Sequence, residues 1–157
     1  MRENQIQKIE VHVAGICFRE TDRDIEVLIA KRQPTRKLYP SKWECGGGQV
    51  NAGENFVEAV KRQTEEELGV IIERAMVFDT YEIDTPDLEQ KKIPGIKFVC
   101  FWKEYVDGSG PKIDLEEFSE FRWQSINDLG DIDFISGIEK DIKRGWEFYS
   151  SNKSHLD

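Results

Sequence analysis

Positive charge is in short supply in this chain. Lys and Arg number 22 against 31 Asp and Glu, leaving a formal net charge of −9 at pH 7. Nucleic-acid binders set cations against phosphates, so no nucleic-acid partner is expected. A small phosphorylated ligand remains open, provided that local cations or a metal offset the acidity. Long apolar runs are also missing. None approaches the roughly 18 residues of a membrane span, and mean hydropathy is −0.60. The opening Met1-Arg2-Glu3-Asn4-Gln5 leads into no apolar signal core. A cytoplasmic protein with no membrane association is expected.

Histidine is scarce: only His12 and His155 occur. A His-rich zinc site is excluded. A Ser-His-Asp or Cys-His site would have to use His12, in a strand pattern, or His155, in the tail. The three cysteines, Cys17, Cys45 and Cys100, cannot all pair. They lack metal-ligand spacing and sit in apolar, strand-like surroundings, so buried free thiols are expected. What is present is ordinary globular material, 38% hydrophobic and 34% charged over 157 residues. That length suits one domain spanning residues 1–157, with a core that needs no staples. A homodimer is left open.

Residues 8–18 read as a strand, with Gly15 marking a bulge. Residues 25–30 read as a second strand, antiparallel to the first across a polar turn. Residues 31–42 form a basic loop, followed by the extended Trp43-Glu44-Cys45 and the run Gly46-Gly47-Gly48. Asn55 is a good helix N-cap, Glu58 completes a capping box, and Gly69 supplies the stop. At about 100° per residue, Phe56, Val57, Val60, Thr64 and Leu68 share that helix's apolar face. Strands are expected over 75–83, 96–105 and 120–124, with polar loops over 84–94 and 106–114. Ile135, Ile138, Ile142, Trp146 and Tyr149 fall at the spacing of a C-terminal amphipathic helix. Strands around two helices indicate an α/β fold with a mixed sheet packed between helices.

The chemistry gathers on the first helix. Spacings of three and four residues put Gln63, Glu66 and Glu67 on one arc bordering the apolar face. Glu65 points roughly 100° away from Glu66. Like charges packed there repel unless they share a cation, and oxygen ligands of this kind suit Mg²⁺ or Mn²⁺. The glycine run lets backbone approach a ligand closely and could offer it a carbonyl. The alternative is a solvated acidic face.

The segment resembles the signature box of the Nudix hydrolases, G-x5-E-x7-R-E-U-x-E-E-x-G-U, with U a bulky aliphatic. Gly48, Glu54, Arg62, Glu66, Glu67, Gly69 and Val70 match in register. Residues 43–48 resemble the family's lead-in, with Gly46 replacing proline, and residues 117–123 resemble its later segment. The resemblance implies an α/β/α sandwich that hydrolyses a diphosphate linked to another group, usually in a nucleoside derivative. It implies that Glu66 and Glu67 bind a divalent metal, with the Gly47 carbonyl as an extra ligand. Gly48, Glu54, Arg62 and Gly69 would support the helix and loop.

Two positions depart from the box. Thr64 stands where an aliphatic packs, and its hydroxyl could bond the Val60 carbonyl. Gln63 stands where the family has glutamate. An amide can offer Mg²⁺ an oxygen but carries no charge and cannot serve as a base. A base is therefore expected elsewhere: Glu117 first, because the family often supplies an acidic residue there, and Glu116 second. The alternative for both is a solvated acidic loop. Arg32, directly after a strand, is the best candidate for a phosphate contact, and Trp43 could stack on a base. The fitting activity is Mg²⁺-dependent hydrolysis of a small nucleotide. The alternative is a non-catalytic domain that binds nucleotide or a partner.

Overall fold

A computed structural model of the protein describes residues 8–86 and 89–152. His155 lies outside these residues. Nine elements follow in order: β1 (His12–Glu20), β2 (Ile25–Arg32), β3 (Trp43–Glu44), β4 (Gly47–Gln49), α1 (Phe56–Leu68), β5 (Val70–Asp84), β6 (Lys92–Tyr105), β7 (Phe118–Ser125) and α2 (Ile138–Asn152). All seven strands join one mixed sheet, with the path β3-β2-β1-β6-β5; β4 pairs with β1, and β7 with β2. β1 and β6 run parallel, and the other pairings are antiparallel.

The sheet's period of two builds two cores from single strands. In β2, Leu28 and Ala30 enter one core, with Ala59, Val60 and Leu68 of α1. Val27 and Ile29 enter the other, with Ile142 and Tyr149 of α2. The result is the expected α/β/α layering. It also separates the cysteines: Cys17 and Cys100 lie on the α1 side and Cys45 on the α2 side, all buried and free. Among the described residues no helix is long and apolar enough to cross a membrane.

Several expectations change. The β1–β6 register runs unbroken from His12 to Phe18, so Gly15 marks no bulge. It is instead a place where α1 packs on the sheet: a Cβ there would lie 2.8 Å from Val60 Cγ2. β1 starts at His12 rather than residue 8, and Lys31 and Arg32 belong to β2 rather than the loop. β5 begins directly after Gly69, and β6 absorbs Pro94 opposite Glu82. In α1 the buried residues are Ala59, Val60, Thr64 and Leu68. Phe56 and Val57, at 41% and 38% exposure, face solvent instead. Ile135 precedes α2, with its N–H on the Trp43 carbonyl at 3.0 Å.

β1 positions the site because one of its edges is divided. Phe18 to Glu20 pair with β2, whereas His12 to Ala14 pair with β4. Where these partners part, the Gly15 N–H meets the Gly46 carbonyl at 3.3 Å. The glycine run is thereby fixed to the centre of the sheet beside α1.

Candidate active site

α1 is anchored at both ends by its own sequence. Asn55 Oδ1 accepts from the Glu58 N–H at 2.8 Å, and Glu58 Oε2 accepts from the Asn55 N–H at 3.1 Å. Gly69 takes a left-handed φ of 66°, and its N–H returns to the Glu65 carbonyl at 3.0 Å. Thr64 Oγ1 donates to the Val60 carbonyl at 2.9 Å within the buried face.

Arg62 ties the helix to the turn before it. Its Nε and Nη2 donate to Glu54, at 2.9 and 2.6 Å, and Nη2 also donates to the Gln49 carbonyl at 2.9 Å. Nη1 reaches Glu66 Oε2 at 3.2 Å. Glu54 additionally accepts the Asn51 N–H at 2.7 Å. These hydrogen bonds, from Arg62 before all others, hold the Glu54 carboxyl down at about 2.

The three residues of the polar arc meet different surroundings. Gln63 lies against the β4 backbone, its Nε2 donating to the Gln49 carbonyl at 3.4 Å. A Cβ on Gly48 would lie 2.3 Å from that amide, so any larger residue there would displace Gln63. Glu66 is well exposed, at 62%, beside Arg62. Glu67 is directed inward. Burial pushes its carboxyl up to about 7, and the charges of Glu44 and then Asp114 push the same way. The Gly47 N–H and the charge of Arg36 act in the opposite sense. The Gly47 backbone thus meets the Glu67 side chain through its N–H.

Glu44 arrives through β3, and Asp114 arrives through backbone. The Asp114 N–H donates to the Glu67 carbonyl at 2.8 Å, and the Lys112 N–H to the Leu68 carbonyl at 3.3 Å. The same loop carries Glu117, whose carboxylate pairs with the Arg36 guanidinium. Gln33 stitches the two loops together. Its N–H donates to the Glu117 carbonyl at 3.0 Å, and its Nε2 to the Leu115 and Phe118 carbonyls at 2.8 and 3.0 Å.

The two residues expected to meet substrate are occupied within the protein. Arg32 is 9% exposed and donates to Glu44 Oε2 and the Leu38 carbonyl, both at 2.9 Å. Trp43 is 5% exposed, in the α2-side core, with Arg122 4.4 Å over its ring. Sequence reasoning missed Glu44, Asp114 and Arg36 as neighbours of Glu67. The available signal was the position of Glu44 just before the glycine run and of Asp114 at the head of the acidic loop.

Among the described residues no three His, Cys, Asp or Glu side chains form a ready cage for a metal ion. The donor set nevertheless suits Mg²⁺. This ion is commonly held by one or two carboxylates and keeps several waters. Glu67, crowded by two further carboxylates, is a group that a cation would relieve.

A NUDIX domain family model matches residues 8–144. An RNA pyrophosphohydrolase of Pelagibacter ubique is 27% identical over 142 residues, covering 82% of this chain and 87% of that protein. The nucleoside triphosphatase NudI of Escherichia coli is 25% identical over 119 residues, covering 74% and 84%. Among solved structures, the NUDIX domain of Shewanella oneidensis NrtR, complexed with ADP ribose, superposes with a TM-score of 0.71. It is 16% identical and covers 91% of this chain and 90% of its own. Box, sheet order and family model agree: the chain belongs to the NUDIX family.

Proposed function

We propose that this Nudix pyrophosphohydrolase cleaves a phosphoanhydride bond of a small nucleotide with Mg²⁺, or Mn²⁺, held at Glu67 and Glu66. The observation that carries this is the Glu67 carboxylate, buried beside Glu44 and Asp114 against the Gly46–Gly48 run. A bound divalent cation would supply charge neutralisation for phosphate oxygens. Glu67 and Glu66 orient it from one end of α1, and Gln63 can add a neutral amide oxygen. Arg62 and Glu54 hold the helix and the Gln49 backbone in register. Glu117, on the loop docked to the end of α1, is the base we assign to the attacking water.

The name of one relative, nucleoside triphosphatase NudI, favours a nucleoside triphosphate. The test is a panel of nucleoside triphosphates, nucleoside diphosphate sugars, dinucleoside polyphosphates and isoprenoid diphosphates with Mg²⁺. Turnover of a nucleotide that is lost in Glu67→Gln is expected. Binding without turnover across the panel would establish the second reading, a nucleotide-binding domain without catalysis. The uncharged Gln63 amide on the metal face is what favours that reading.

A further inference from the structure

The loop over residues 33–42 has a built shape. The Arg32 N–H donates to the Lys42 carbonyl at 2.9 Å, and the Arg36 N–H to the Gln33 carbonyl at 3.1 Å. Tyr39 and Ser41 take left-handed φ values of 50° and 62°, a conformation uncommon outside glycine that a turn must hold. Arg32, Thr35, Arg36, Lys37 and Leu38 line a depression of about 350 Å³ on this loop. Three cations and a hydroxyl make it a place for an anion.

The cations are not equally available. Arg32 is committed to Glu44. Lys37 is exposed and has no ion-pair partner among the described residues. Arg36 is paired with Glu117, and both side chains are partly exposed, at 30% and 36%. One guanidinium therefore lines the depression and also holds the carboxylate assigned as base. A phosphate dianion is a stronger partner for that fork than a carboxylate, by charge and by number of acceptor oxygens.

We propose that Arg36 selects substrates that end in a free phosphate. The outermost phosphate of a polyphosphate chain displaces Glu117 from Arg36 and settles in the depression with Lys37 and Thr35. The released carboxylate is then free to accept a proton. A nucleoside diphosphate sugar, whose diphosphate is capped on both sides, has no terminal dianion with which to compete. This inference rests on the hydrolase reading above and narrows its substrate class to nucleoside triphosphates.

Competition makes two substitutions act with opposite sign. The probe is inorganic tripolyphosphate, measured by calorimetry in EDTA so that no metal contributes. Arg36→Gln should weaken binding about tenfold or more, as expected for losing a charged hydrogen-bond pair. Arg36→Lys should fall between. Glu117→Gln should bind several-fold more tightly than the native protein, because the competitor is gone. Unchanged or weaker binding by Glu117→Gln, or no binding by any of the four proteins, would overturn the proposal. In Mg²⁺, Arg36→Gln should lower kcat/KM about tenfold on a nucleoside triphosphate, with less than about threefold change on a nucleoside diphosphate sugar. Equal losses on both would also overturn it. If neither substrate turns over, the hydrolase reading fails, while the metal-free titrations still decide the role of Arg36. Both side chains are partly exposed, and melting curves check that the variants fold.

Discussion

Glu67 is drawn in two directions by its place in the fold. Its pKa of about 7 lies above the ordinary 4.5, chiefly through burial. The protonated form therefore favours folding. That contribution is fully present below pH 4.5 and is lost as pH rises through 7. It is on the order of 2–3 kcal/mol. Metal-free protein should accordingly lose melting temperature between pH 5 and 8 more steeply than Glu67→Gln, and Mg²⁺ at pH 8 should restore it in the native protein only. Parallel pH profiles for the two proteins would mean that Glu67 is not the strained group. The neighbouring Glu65→Gln should change Mg²⁺ affinity little. Gln63 allows a second test. Gln63→Glu adds a carboxylate to the metal face and gives up the donation to the Gln49 carbonyl. Mg²⁺ affinity and activity at limiting Mg²⁺ should rise, each tenfold gain in rate corresponding to about 1.4 kcal/mol. The metal-free form should melt earlier, since like charges are left facing one another. A variant slower than the native enzyme at every Mg²⁺ concentration would show that the amide is an adapted part of the site.

At the scale of elements, α1 closes on the centre of the sheet at Gly15. Adding one methyl there places it 2.8 Å from Val60 Cγ2, among the buried residues of the α1-side core. Gly15→Ala should cost about 1–3 kcal/mol, read as a shift in the denaturation midpoint; a stability equal to the native protein's would show that α1 can slide. The sequence made α1 readable because everything that starts and stops it is local: Asn55, Glu58 and Gly69 act within a few residues of themselves. The alternating apolar residues of β2 were equally legible. Phe56 and Val57 misled because periodicity identifies a face but not where the opposing surface begins. Gly15 misled because a glycine in a strand reads the same whether it kinks the strand or admits a helix. The companions of Glu67 could not be read at all. Glu44 and Asp114 come to it through strand pairing and loop docking, from 23 residues before it and 47 after it. The ion pair of Arg36 with Glu117 spans 81 positions.

For the molecule as a whole, a net charge of −9 sets the general field. On the proposed reading, attraction for phosphates centres on the loop before β3 and on the cation that Glu67 would recruit. A DNA duplex, which offers no single terminal phosphate to such a spot, should show no saturable anisotropy change at protein concentrations up to about 100 µM in 150 mM salt. Binding that weakens steeply with salt would contradict this. The last turn of α1 has a wider consequence. Helices ordinarily leave their final carbonyls to solvent or a cap, but here the last two are taken by another segment, Glu67 by Asp114 and Leu68 by Lys112, and the cap residue Gly69 by Val106, at 2.8, 3.3 and 3.0 Å. The segment is irregular, yet three of its amides are hydrogen-bonded to the helix end. In hydrogen–deuterium exchange, Lys112 and Asp114 should exchange together with the end of α1, in one cooperative opening, and not at the rate of a free loop. In the proposed mechanism Glu117 would then reach a ligand by turning its own side chain, on a backbone tied through Asp114 to the end of α1.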